Sequence, residues 1–544
     1  MEKDIFWADQ LATQIIKRKT YNYLDKKYKN PKTLTIKSST SISGLPHIGN
    51  AADILRQDAL VKALKEKNQK VNFIWVAEDI DPWRKVPTNI PKSFKKYLGM
   101  PVSSLPCPEG CCKNYVDHFV NLFLNSLKEN YGTNPKFIST TKEYQKGSFY
   151  KIIKKALQNQ EQIKQIIQKY RKTPLPENYS IWKPICENCG KIITTRITDT
   201  TKDGVYYECK DYEFKEHGKS AYNKVKGCGH KGFSDIKKGN GKLLWKVEWA
   251  TEWATWKVVL EAAGKEHFMP GSSFWVAGEI AEKIFDYPEP FPGKNPIQPY
   301  EYITVNHQKM SASKGNVVAT WEWPKFAPPE ALRLLFLKKP NKQRDFKYSE
   351  IPLIVDELDK LEKIYFGKIK EENKKELIDQ KRLFETSCIK IPKSYKEKIS
   401  FSFLAELSLI YKDFKNVEKV LKKLNHKISD KKETKNRFEM AKTWMQLYAP
   451  EEIKFIIQDK PNKKDLNQNQ ISALKDLANI LKKDYNEKEL FSEFYNIIQN
   501  NGLKAPEFFK AAYQVLINKQ RGPKLASLIL AIGTDKTRKI LNQL

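Results

Sequence analysis

Residues 36–50, which read IKSSTSISGLPHIGN, have side chains and spacing suited to holding a phosphate. A short β-type run at residues 34–36 leads into small and hydroxyl residues, and a segment with helical spacing begins at His47. A helix start after such a turn favours an anion, because its first N–H groups are unpaired and the dipole is positive there. Gly49 leaves room for a base or ribose, and His47 can donate a hydrogen bond to a phosphate oxygen. Alone, these residues favour an ordinary strand-to-helix turn.

A second candidate for phosphate binding lies far downstream, where residues 309–316 read KMSASKGN after a strand-like run at residues 302–305. Lys309 and Lys314 flank two serines on a loop that contains glycine. Lysine is a point charge that can follow a moving phosphate, and serine hydroxyls add hydrogen bonds. Alone, this stretch would be a solvated basic loop. Together with PHIGN, it predicts a site for a nucleoside triphosphate.

Length and charge limit the class of protein. The chain has 544 residues and a formal net charge of +33, which predicts roughly two to four domains and a polyanionic partner. The excess of lysine and arginine favours nucleic acid over a membrane surface. A lysine-biased genome explains part of the imbalance but not all of it. Since no apolar run approaches a membrane span and the first residues do not resemble a signal peptide, we expect a cytoplasmic protein that binds nucleic acid.

The cysteines are clustered, which in a reducing compartment indicates metal binding rather than disulfides. Cys186 and Cys189 have the spacing of a metal knuckle, and Cys209 and Cys228 complete a predicted tetrahedral thiolate site. His230 is the alternative fourth ligand. A possible second site is formed by Cys107, Cys111, Cys112 and His118. Buried free thiols are an equally good interpretation of this second group, because adjacent cysteines rarely both bind one ion.

The apolar periodicity predicts a doubly wound parallel sheet interrupted by an insertion. Residues 71–77 (VNFIWVA) form a continuous apolar run, typical of a strand buried on both faces. Glu78, Asp79 and Asp81 follow this strand at the edge where such sheets place their ligands. Residues 101–240 interrupt the sheet pattern. Beyond residue 395 helical periodicity dominates, and the basic helices there fit contact with an RNA backbone.

A tryptophan-rich stretch over residues 241–268 contains four tryptophans near helical repeats and ends in GKEHF. Such a stripe is usually core packing, but the Gly-containing turn after it predicts that part of the stripe walls a pocket.

PHIGN and KMSASKGN together resemble the two signature motifs of class I aminoacyl-tRNA synthetases. DPWRKVP at residues 81–87, WKVEWATEW before GKEHF, APPEALR, the terminal KQRGPKLASLILAIG and the amino-terminal FWADQLATQII resemble class I lysyl-tRNA synthetase. The matches span nearly the whole chain. Four departures stand out: Ser39 and Ser41 replace glycine and threonine, Glu252 stands where the family often has arginine, and Ala312 replaces a lysine of the second motif. GKEH also appears in place of GKDH.

The resemblance implies a site in which named residues bind ATP and lysine. For ATP they are His47, Gly49, Asn50, Lys309, Met310, Ser311, Ser313 and Lys314, with His47, Lys309 and Lys314 in catalytic roles. For lysine they are Ser39, Ser41, Asp79, Asp81, Trp245, Trp249, His267, Tyr300 and Tyr302. The lysine ammonium requires a carboxylate or an aromatic surface, for which Asp79, Asp81 and Trp245 are the unranked candidates. His47 and Lys314 are expected to supply positive charge to the transition state.

The resemblance also implies a reaction and a domain order. Lysine and ATP, with Mg²⁺, would form lysyl-adenylate, and the lysyl group would then pass to tRNA(Lys) on a monomeric enzyme with structural Zn²⁺. Residues 1–90 and 241–325 would be the halves of a Rossmann-like α/β domain around a zinc-containing insertion at 91–240. Residues 326–390 would contact the tRNA stem, and 391–544 would form an all-α anticodon-binding domain. The alternatives are a class I synthetase for another amino acid, a small-molecule nucleotidyltransferase and a non-catalytic tRNA-binding protein.

Overall fold

The computed structural model of the protein describes residues 4–177, 179–214, 223–291, 301, 303–309 and 317–544. The chain divides into two compact units. The first comprises Met1–Glu322, Leu332–Phe346 and Glu371–Lys390, and the second comprises Trp323–Ala331, Lys347–Lys370 and Ile391–Leu544. Among the helices of these described ranges, none is both long and apolar enough to cross a membrane. The five-domain division stays a prediction.

All fourteen described strands belong to small sheets of two to four strands. In chain order they are β1 Leu34–Thr40, β2 Val71–Ala77, β3 Lys136–Ser139, β4 Trp182–Pro184, β5 Thr195–Thr200, β6 Gly204–Cys209, β7 Tyr212–Phe214, β8 Asn223–Val225, β9 Lys231–Asp235, β10 Gly241–Leu243, β11 Val258–Glu261, β12 Ile303–Val305, β13 Gln308–Lys309 and β14 Arg344–Phe346.

The main sheet of the first unit is parallel, with the strand order β11-β1-β2-β3. The chain moves from β1 outward to β3 and returns after β10 to place β11 on the other side of β1. The strand order therefore reverses between β1 and β11, and the carboxyl ends of these two strands flank a crevice of the kind in which α/β proteins bind ligands. β2 has the predicted bounds, and its last four residues are buried.

One strand lies inside the stretch that was expected to interrupt the sheet. Lys136–Ser139 forms β3 and pairs in parallel with β2, so the interruption predicted for residues 101–240 is wrong at this point. The four-residue run KFIS is too short to show a strand pattern in the sequence. The remaining strands between β3 and β11 form small antiparallel sheets, β10-β4, β5-β6-β9 and β7-β8.

The described α-helices, in chain order, are α1 Trp7–Lys17, α2 Ile48–Glu66, α3 Tyr115–Tyr131, α4 Thr140–Gln145, α5 Tyr150–Gln158, α6 Gln160–Lys169, α7 Trp245–Trp256, α8 Ser273–Lys283, α9 Pro329–Leu337, α10 Ile351–Tyr365, α11 Lys374–Ser387, α12 Phe401–Ile410, α13 Phe414–Lys423, α14 Lys431–Leu447, α15 Gln468–Ile480, α16 Glu487–Asn500, α17 Ala505–Ile517, α18 Leu525–Ile532 and α19 Thr534–Leu541.

Buried charge holds α11 in the first unit. Arg333 is fully buried and donates to Asp58 on α2 at 2.7 Å, to the Tyr131 carbonyl at 3.0 Å and to the Thr386 carbonyl at 2.8 Å. A guanidinium removed from water is stable only when its N–H groups are satisfied, so Arg333 fixes these partners together. This explains why residues 371–390 group with the sheet, although the sequence placed them in a separate stem-contact segment.

The carboxyl-terminal part of the second unit is helical throughout, as expected. Helices α15 to α19 share one apolar core, which includes Leu477, Phe494, Phe508 and Ile529. The predicted combination of a parallel α/β sheet with a carboxyl-terminal helical region is therefore confirmed.

Candidate active site

A cavity of about 500 Å³ opens at the crevice between the ends of β1 and β11. Ser39, Thr40 and Ser41 line it from the end of β1, and residues 261–264 line it from the end of β11. The predicted residues that line this cavity are Ser39, Ser41, His47, Gly49, Asn50, Trp245, Trp249 and His267. Two stretches separated by some 200 positions in the sequence therefore meet at the edge of the sheet where ligands bind.

The first motif begins α2 as predicted. His47 is the N-cap: its Nδ1 accepts the Gly49 N–H at 3.0 Å, and the Asn50 side chain accepts the His47 N–H at 3.0 Å. This reciprocal capping box orients both side chains at the positive end of the dipole. Burial lowers the pKa of His47 to about 4, so the imidazole is neutral near pH 7 and its proton is on Nε2. The expectation that His47 supplies positive charge is therefore corrected: it offers a neutral N–H donor.

The chain that follows the second motif contacts the first motif. Ala319 forms an isolated antiparallel bridge with His47, and the Ile48 N–H donates to the Val318 carbonyl at 3.0 Å. Before the motif, the hairpin of β12 and β13 ends at Lys309. The described residues on both sides of the second motif therefore belong to the first unit, and those that follow it pair with the start of α2.

Several predicted site residues lie outside the described residues. They are Tyr300, Tyr302, Met310, Ser311, Ser313 and Lys314, and only the backbone of Lys309 is described. Their roles stay predictions.

The floor of the cavity is a buried cluster of charge. The ammonium of Lys37 lies 2.6 Å from Glu261, 2.9 Å from Glu252 and 3.8 Å from Glu78, and all four side chains are at most 2% exposed. Trp249 and Trp253 also donate to Glu261, at 2.7 and 2.5 Å. Three carboxylates thus share one cation. Burial and the neighbouring carboxylates raise the pKa of Glu252 to about 7, while the three glutamates hold the pKa of Lys37 above its usual value.

Glu78 is the carboxylate of this cluster that is left for a ligand. It lines the cavity, and neither of its oxygens accepts a hydrogen bond from a residue in the described ranges. Burial, followed by the Glu252 charge, raises its pKa well above the usual range. A buried carboxylate without a hydrogen-bond donor is costly unless a cation or donor completes it. The geometry therefore leaves a place for a positive group beside Glu78.

The wall beside this floor is aromatic. Trp245 stacks on Trp249 with ring centroids 4.7 Å apart, and His267 meets Trp249 edge-on at 5.5 Å. Trp253 is buried in the core. Trp249 is also buried but reaches the cavity, and Trp245 is only half-buried and lines it. Of the two interpretations of the tryptophan stripe, core packing thus applies to Trp253 and a pocket wall applies to Trp245. Aromatic faces next to a carboxylate suit an alkyl chain that ends in an ammonium.

The two aspartates expected to bind lysine have other partners. Asp79 does not line the cavity and accepts hydrogen bonds from Ser139, Thr140 and the Thr141 backbone. Asp81 forms an ion pair with the buried ammonium of Lys242 and accepts from Ser41 at 3.0 Å. Both carboxylates are thus used to fix the polypeptide chain, and Glu78, their neighbour, faces the cavity.

Titration of His47 is a direct test of this geometry. We expect its imidazole to titrate near pH 4, because burial disfavours the charged form, rather than near the ordinary value of about 6.5. The folded pKa lies below the unfolded one, so its contribution to stability is complete above about pH 6.5 and is lost as pH falls toward 4. NMR of ¹³C-labelled histidine, with His47→Asn to assign the signal and preserve the helix cap, measures this pKa. A midpoint near 6.5 would contradict the buried, neutral imidazole.

The four knuckle cysteines converge. The Sγ atoms of Cys186 and Cys228 lie 3.6 Å apart, and those of Cys189 and Cys209 lie 3.7 Å apart. All four sulfurs lie within 4.8 Å of one another. Sulfurs bound at about 2.3 Å to one tetrahedral zinc ion are separated by about 3.8 Å, so the set fits that ion. His230 is outside this group; its carbonyl accepts the Cys209 N–H at 2.8 Å.

The second group converges as well. Cys107 lies 3.8 Å from Cys111, Cys111 lies 3.5 Å from Cys112, and His118 Nδ1 lies 3.1 Å from the Cys111 sulfur. These ligand atoms too lie within 4.8 Å of one another. Adjacent cysteines thus both reach the same point, and the donor set fits zinc.

Both cysteine groups are connected to the loop of the first motif. The carbonyl of Ser43 accepts from Trp83 Nε1 at 3.2 Å and from the Tyr115 hydroxyl at 3.5 Å. Tyr115 begins α3, the helix that carries His118 of the second group. Trp83 accepts from Gly99, whose carbonyl accepts the Ile192 N–H beyond the Cys189 turn, at 2.8 Å in both cases. Each group therefore supports one of the two donors that fix this loop four residues before His47.

Comparison with known proteins identifies the family. The family model described as tRNA synthetases class I (K), where K denotes lysine, matches residues 5–390. The chain belongs to this family. A second model, an anticodon binding domain, matches residues 403–544. The resemblance of the sequence motifs to class I lysyl-tRNA synthetase is confirmed.

Relatives of this class I synthetase match over almost their whole length. A lysine–tRNA ligase from Methanosphaera stadtmanae is 33% identical over 549 residues, covering 97% of each chain. One from Methanocaldococcus jannaschii is 34% identical over 550 residues, covering 97% of this chain and 98% of the relative. Among solved structures, a glutamate tRNA ligase from Elizabethkingia meningosepticum covers 94% of this chain and 99% of its own, at 14% identity and a TM-score of 0.40. That score is too low to carry an argument.

The sequence did not identify the floor of the synthetase cavity. Lys37, Glu78 and Glu261 were assigned no role, although Glu78 was noted beside Asp79. One signal was present: Lys37 directly follows the β-type run at residues 34–36. The strand that they form is buried over its first five residues, and a buried lysine requires an acidic partner. Glu252, a departure from the family pattern, is one such partner.

Proposed function

We propose that the protein activates L-lysine with ATP to lysyl-adenylate and transfers the lysyl group to tRNA(Lys). The observation that carries this proposal is the cavity at the β1–β11 crevice, which has the capped start of α2 on one side and a buried acidic floor on the other. The helix start suits phosphates, and the floor suits an ammonium group. ATP and lysine can therefore occupy one cavity with the reacting groups between them.

The first step joins lysine to the α-phosphate. A carboxylate oxygen of lysine bonds to the α-phosphorus, the bond from that phosphorus to the bridging oxygen breaks, and pyrophosphate leaves. ATP enters as its Mg²⁺ complex, and the metal neutralises charge on the phosphates. His47 donates a hydrogen bond from its Nε2–H group to a phosphate oxygen. Lys309 and Lys314 supply positive charge to the pentavalent transition state.

The second step moves the lysyl group. The 2′-hydroxyl oxygen of the terminal tRNA adenosine attacks the acyl carbon, the bond from that carbon to the phosphate oxygen breaks, and AMP leaves. The hydroxyl proton passes to the departing phosphate. No covalent intermediate with the protein forms, so catalysis comes from positioning and from fixed charge. The carboxyl-terminal helical region holds the anticodon arm of the tRNA.

Lysine selection is assigned to Glu78 together with Trp245. Glu78 accepts the ε-ammonium, and the exposed face of Trp245 packs on the alkyl chain. This assignment is supported by the Glu78 oxygens, which lack a hydrogen bond from the described residues. Of the three unranked candidates from the sequence, it keeps Trp245 and replaces Asp79 and Asp81 by Glu78. Ser39, which donates to Glu261 at 3.2 Å, and Ser41 complete the polar edge.

Zinc is assigned a structural role at both cysteine groups. Cys186, Cys189, Cys209 and Cys228 would hold one ion. Cys107, Cys111, Cys112 and His118 would hold the second. Each ion would cross-link loops that have little apolar core of their own, and neither group lines the cavity. The monomeric state stays a prediction.

Exchange of labelled pyrophosphate into ATP, measured with a panel of amino acids, tests the function. We expect exchange with L-lysine at least a hundredfold faster than with any other protein amino acid, followed by charging of tRNA(Lys). Exchange driven best by glutamate would assign a different synthetase. Tight tRNA binding without any exchange would support a non-catalytic protein.

Replacing Lys314 by alanine separates rate from affinity. We expect the adenylation rate to fall about 100- to 1,000-fold while the dissociation constant for ATP changes less than tenfold, because a mobile cation acts mainly on charge that develops in the transition state. Single-turnover adenylation over a range of ATP concentrations measures both quantities. Equal losses in rate and affinity would contradict a role confined to the transition state.

A further inference from the structure

We infer that Lys242 is a positioning residue for the lysine site and acts through Asp81 and Ser41. Lys242 lies on β10 and does not line the cavity. The inference rests on the proposed function, in which Ser41 belongs to the polar edge of the lysine site. It assigns control of that edge to a buried cation outside the cavity.

The contacts form a continuous path from the interior to the cavity. The side chain of Lys242 is only 6% exposed, and its ammonium forms an ion pair with Asp81 and lies 2.6 Å from Glu248. The other oxygen of Asp81 accepts the Ser41 hydroxyl at 3.0 Å. Ser41 is exposed where it lines the cavity. A buried cation therefore holds the carboxylate that holds a side chain of the site.

The direction of this hydrogen bond determines what Ser41 offers to a ligand. An ionised carboxylate accepts and does not donate, so the hydroxyl proton of Ser41 is directed at Asp81. The Ser41 oxygen then presents only lone pairs to the cavity, which suit an N–H group of lysine. A protonated Asp81 would be able to donate to Ser41, and the hydroxyl proton would turn toward the cavity. The ionisation of Asp81 thus sets the polarity of this edge.

Lys242 keeps Asp81 ionised. Burial raises the pKa of the Asp81 carboxyl, but the charge and hydrogen bond of Lys242 outweigh this effect and hold the pKa below its usual range. Asp81 in turn contributes to raising the pKa of Lys242 above its usual value, against the effect of burial. The charged groups that act on Asp81 or respond to it are Lys242, Arg84, Glu78 and Glu248.

Glu248 fixes the ammonium from the opposite side. It is fully buried on α7 and accepts the Tyr144 hydroxyl at 2.7 Å. The Tyr144 oxygen accepts the N–H of Leu243, the residue after Lys242, at 3.0 Å. The ammonium is therefore part of a closed ring of contacts and does not follow Asp81 when the edge of the cavity moves. A side chain locked in this way can position a neighbour accurately.

A double-mutant cycle tests the inference. Lys242→Met removes the buried cation, and Ser41→Ala removes the hydroxyl. We expect each single variant to raise the KM for lysine about tenfold in pyrophosphate exchange, with less than a threefold change in the KM for ATP. Because both substitutions act on one hydrogen bond, the double variant should differ less than threefold from Lys242→Met. Effects that multiply to about a hundredfold would overturn the inference.

The pH dependence separates positioning from a loss of structure. Without Lys242, burial leaves the pKa of Asp81 raised, so Asp81 gains a proton as pH falls and lysine affinity decreases. In Lys242→Met, the KM for lysine should rise between about pH 7.5 and pH 5.5 at least threefold more than in the natural protein. A pH dependence equal to that of the natural protein would contradict the role of Asp81.

Asp81→Asn provides a second background for the same test. Asparagine keeps an oxygen for Ser41 and cannot titrate, so adding Lys242→Met to Asp81→Asn should change the KM for lysine less than threefold and remove the extra pH dependence. This pair leaves no unpaired charge at position 81, so the comparison holds even if Lys242→Met alone does not fold. A tenfold difference in this background would show that Lys242 acts by another route and would overturn the inference.

The matched control removes a buried lysine elsewhere. Lys398, in the second unit, lies 2.6 Å from Glu362 and 3.4 Å from Glu433 and does not line the cavity. Lys398→Met should lower the midpoint of thermal unfolding and leave the KM for lysine within twofold of the natural value. If Lys242→Met behaves in the same way, Lys242 only stabilises the fold and the inference is wrong. If the natural protein shows no lysine-dependent exchange, the proposed function fails instead.

Discussion

Replacing Glu78 by glutamine is expected to raise the KM for lysine on the order of 30-fold or more in pyrophosphate exchange, while the KM for ATP changes less than threefold. Loss of one member of a buried, hydrogen-bonded charge pair costs about 2–5 kcal/mol. Glutamine keeps the size of the side chain and removes its charge. Since burial raises the pKa of Glu78, lysine affinity should also increase with pH, and this dependence should be weaker in the variant.

The control for Glu78 is a carboxylate of the same cavity that is open to water. Glu266 lines the cavity, but its side chain is 43% exposed. Glu266→Gln removes one negative charge without leaving a buried ammonium of the substrate unpaired, so its effect should be threefold or smaller. If Glu78→Gln and Glu266→Gln raise the KM for lysine equally, the general field of the cavity attracts lysine, and the assignment to Glu78 is wrong.

Removal of the proposed zinc ions is expected to abolish the activity of the enzyme. The protein should bind two zinc ions per chain, and chelation should abolish pyrophosphate exchange, because each ion would fix a segment that supports the Ser43 carbonyl. Structural zinc contributes on the order of 10 kcal/mol to the folding of small modules, far more than a local hydrogen bond. Metal analysis, exchange activity and thermal unfolding of the chelated protein measure these effects.

Single substitutions assign the ions. Cys186→Ser and Cys111→Ser should each reduce the metal content from two ions to one. Cys388 is buried outside both groups, and Cys388→Ser should leave two ions bound. A natural protein that is free of metal yet fully active and equally stable would rule out the structural role.

Features determined by short stretches of sequence could be predicted. The start of α2 at His47 follows from a turn-forming sequence, a capping pair and helical spacing, all within a few residues. β2 follows from a continuous apolar run, and the cysteine knuckle follows from the spacing of Cys186 and Cys189. These patterns depend on residues that are close in sequence and not on the tertiary fold.

The floor of the cavity could not be predicted in the same way. Lys37 and Glu261 are 224 positions apart and meet only because β11 returns to pair with β1. Asp79 and Asp81 are carboxylates like Glu78. However, Asp79 accepts hydrogen bonds from Ser139 and Thr140, and Asp81 forms an ion pair with Lys242. These partners are all distant in sequence from the aspartates that they bind. Which of three neighbouring carboxylates stays available is thus decided by distant partners. The short strand β3 was missed for a related reason: four residues carry too little pattern.

The carboxyl groups beneath the cavity also determine which amino acids are rejected. Three of them share one ammonium there, and the raised pKa values of Glu78 and Glu252 mean that the site becomes fully ionised only when a second cation joins it. Aspartate or glutamate would bring a buried anion in place of that cation and would be excluded, whatever its size. Ornithine has the charge of lysine and is one methylene shorter, so discrimination against it is limited to about 1–3 kcal/mol. Errors by this enzyme should therefore come from shorter cationic analogues and not from acidic amino acids.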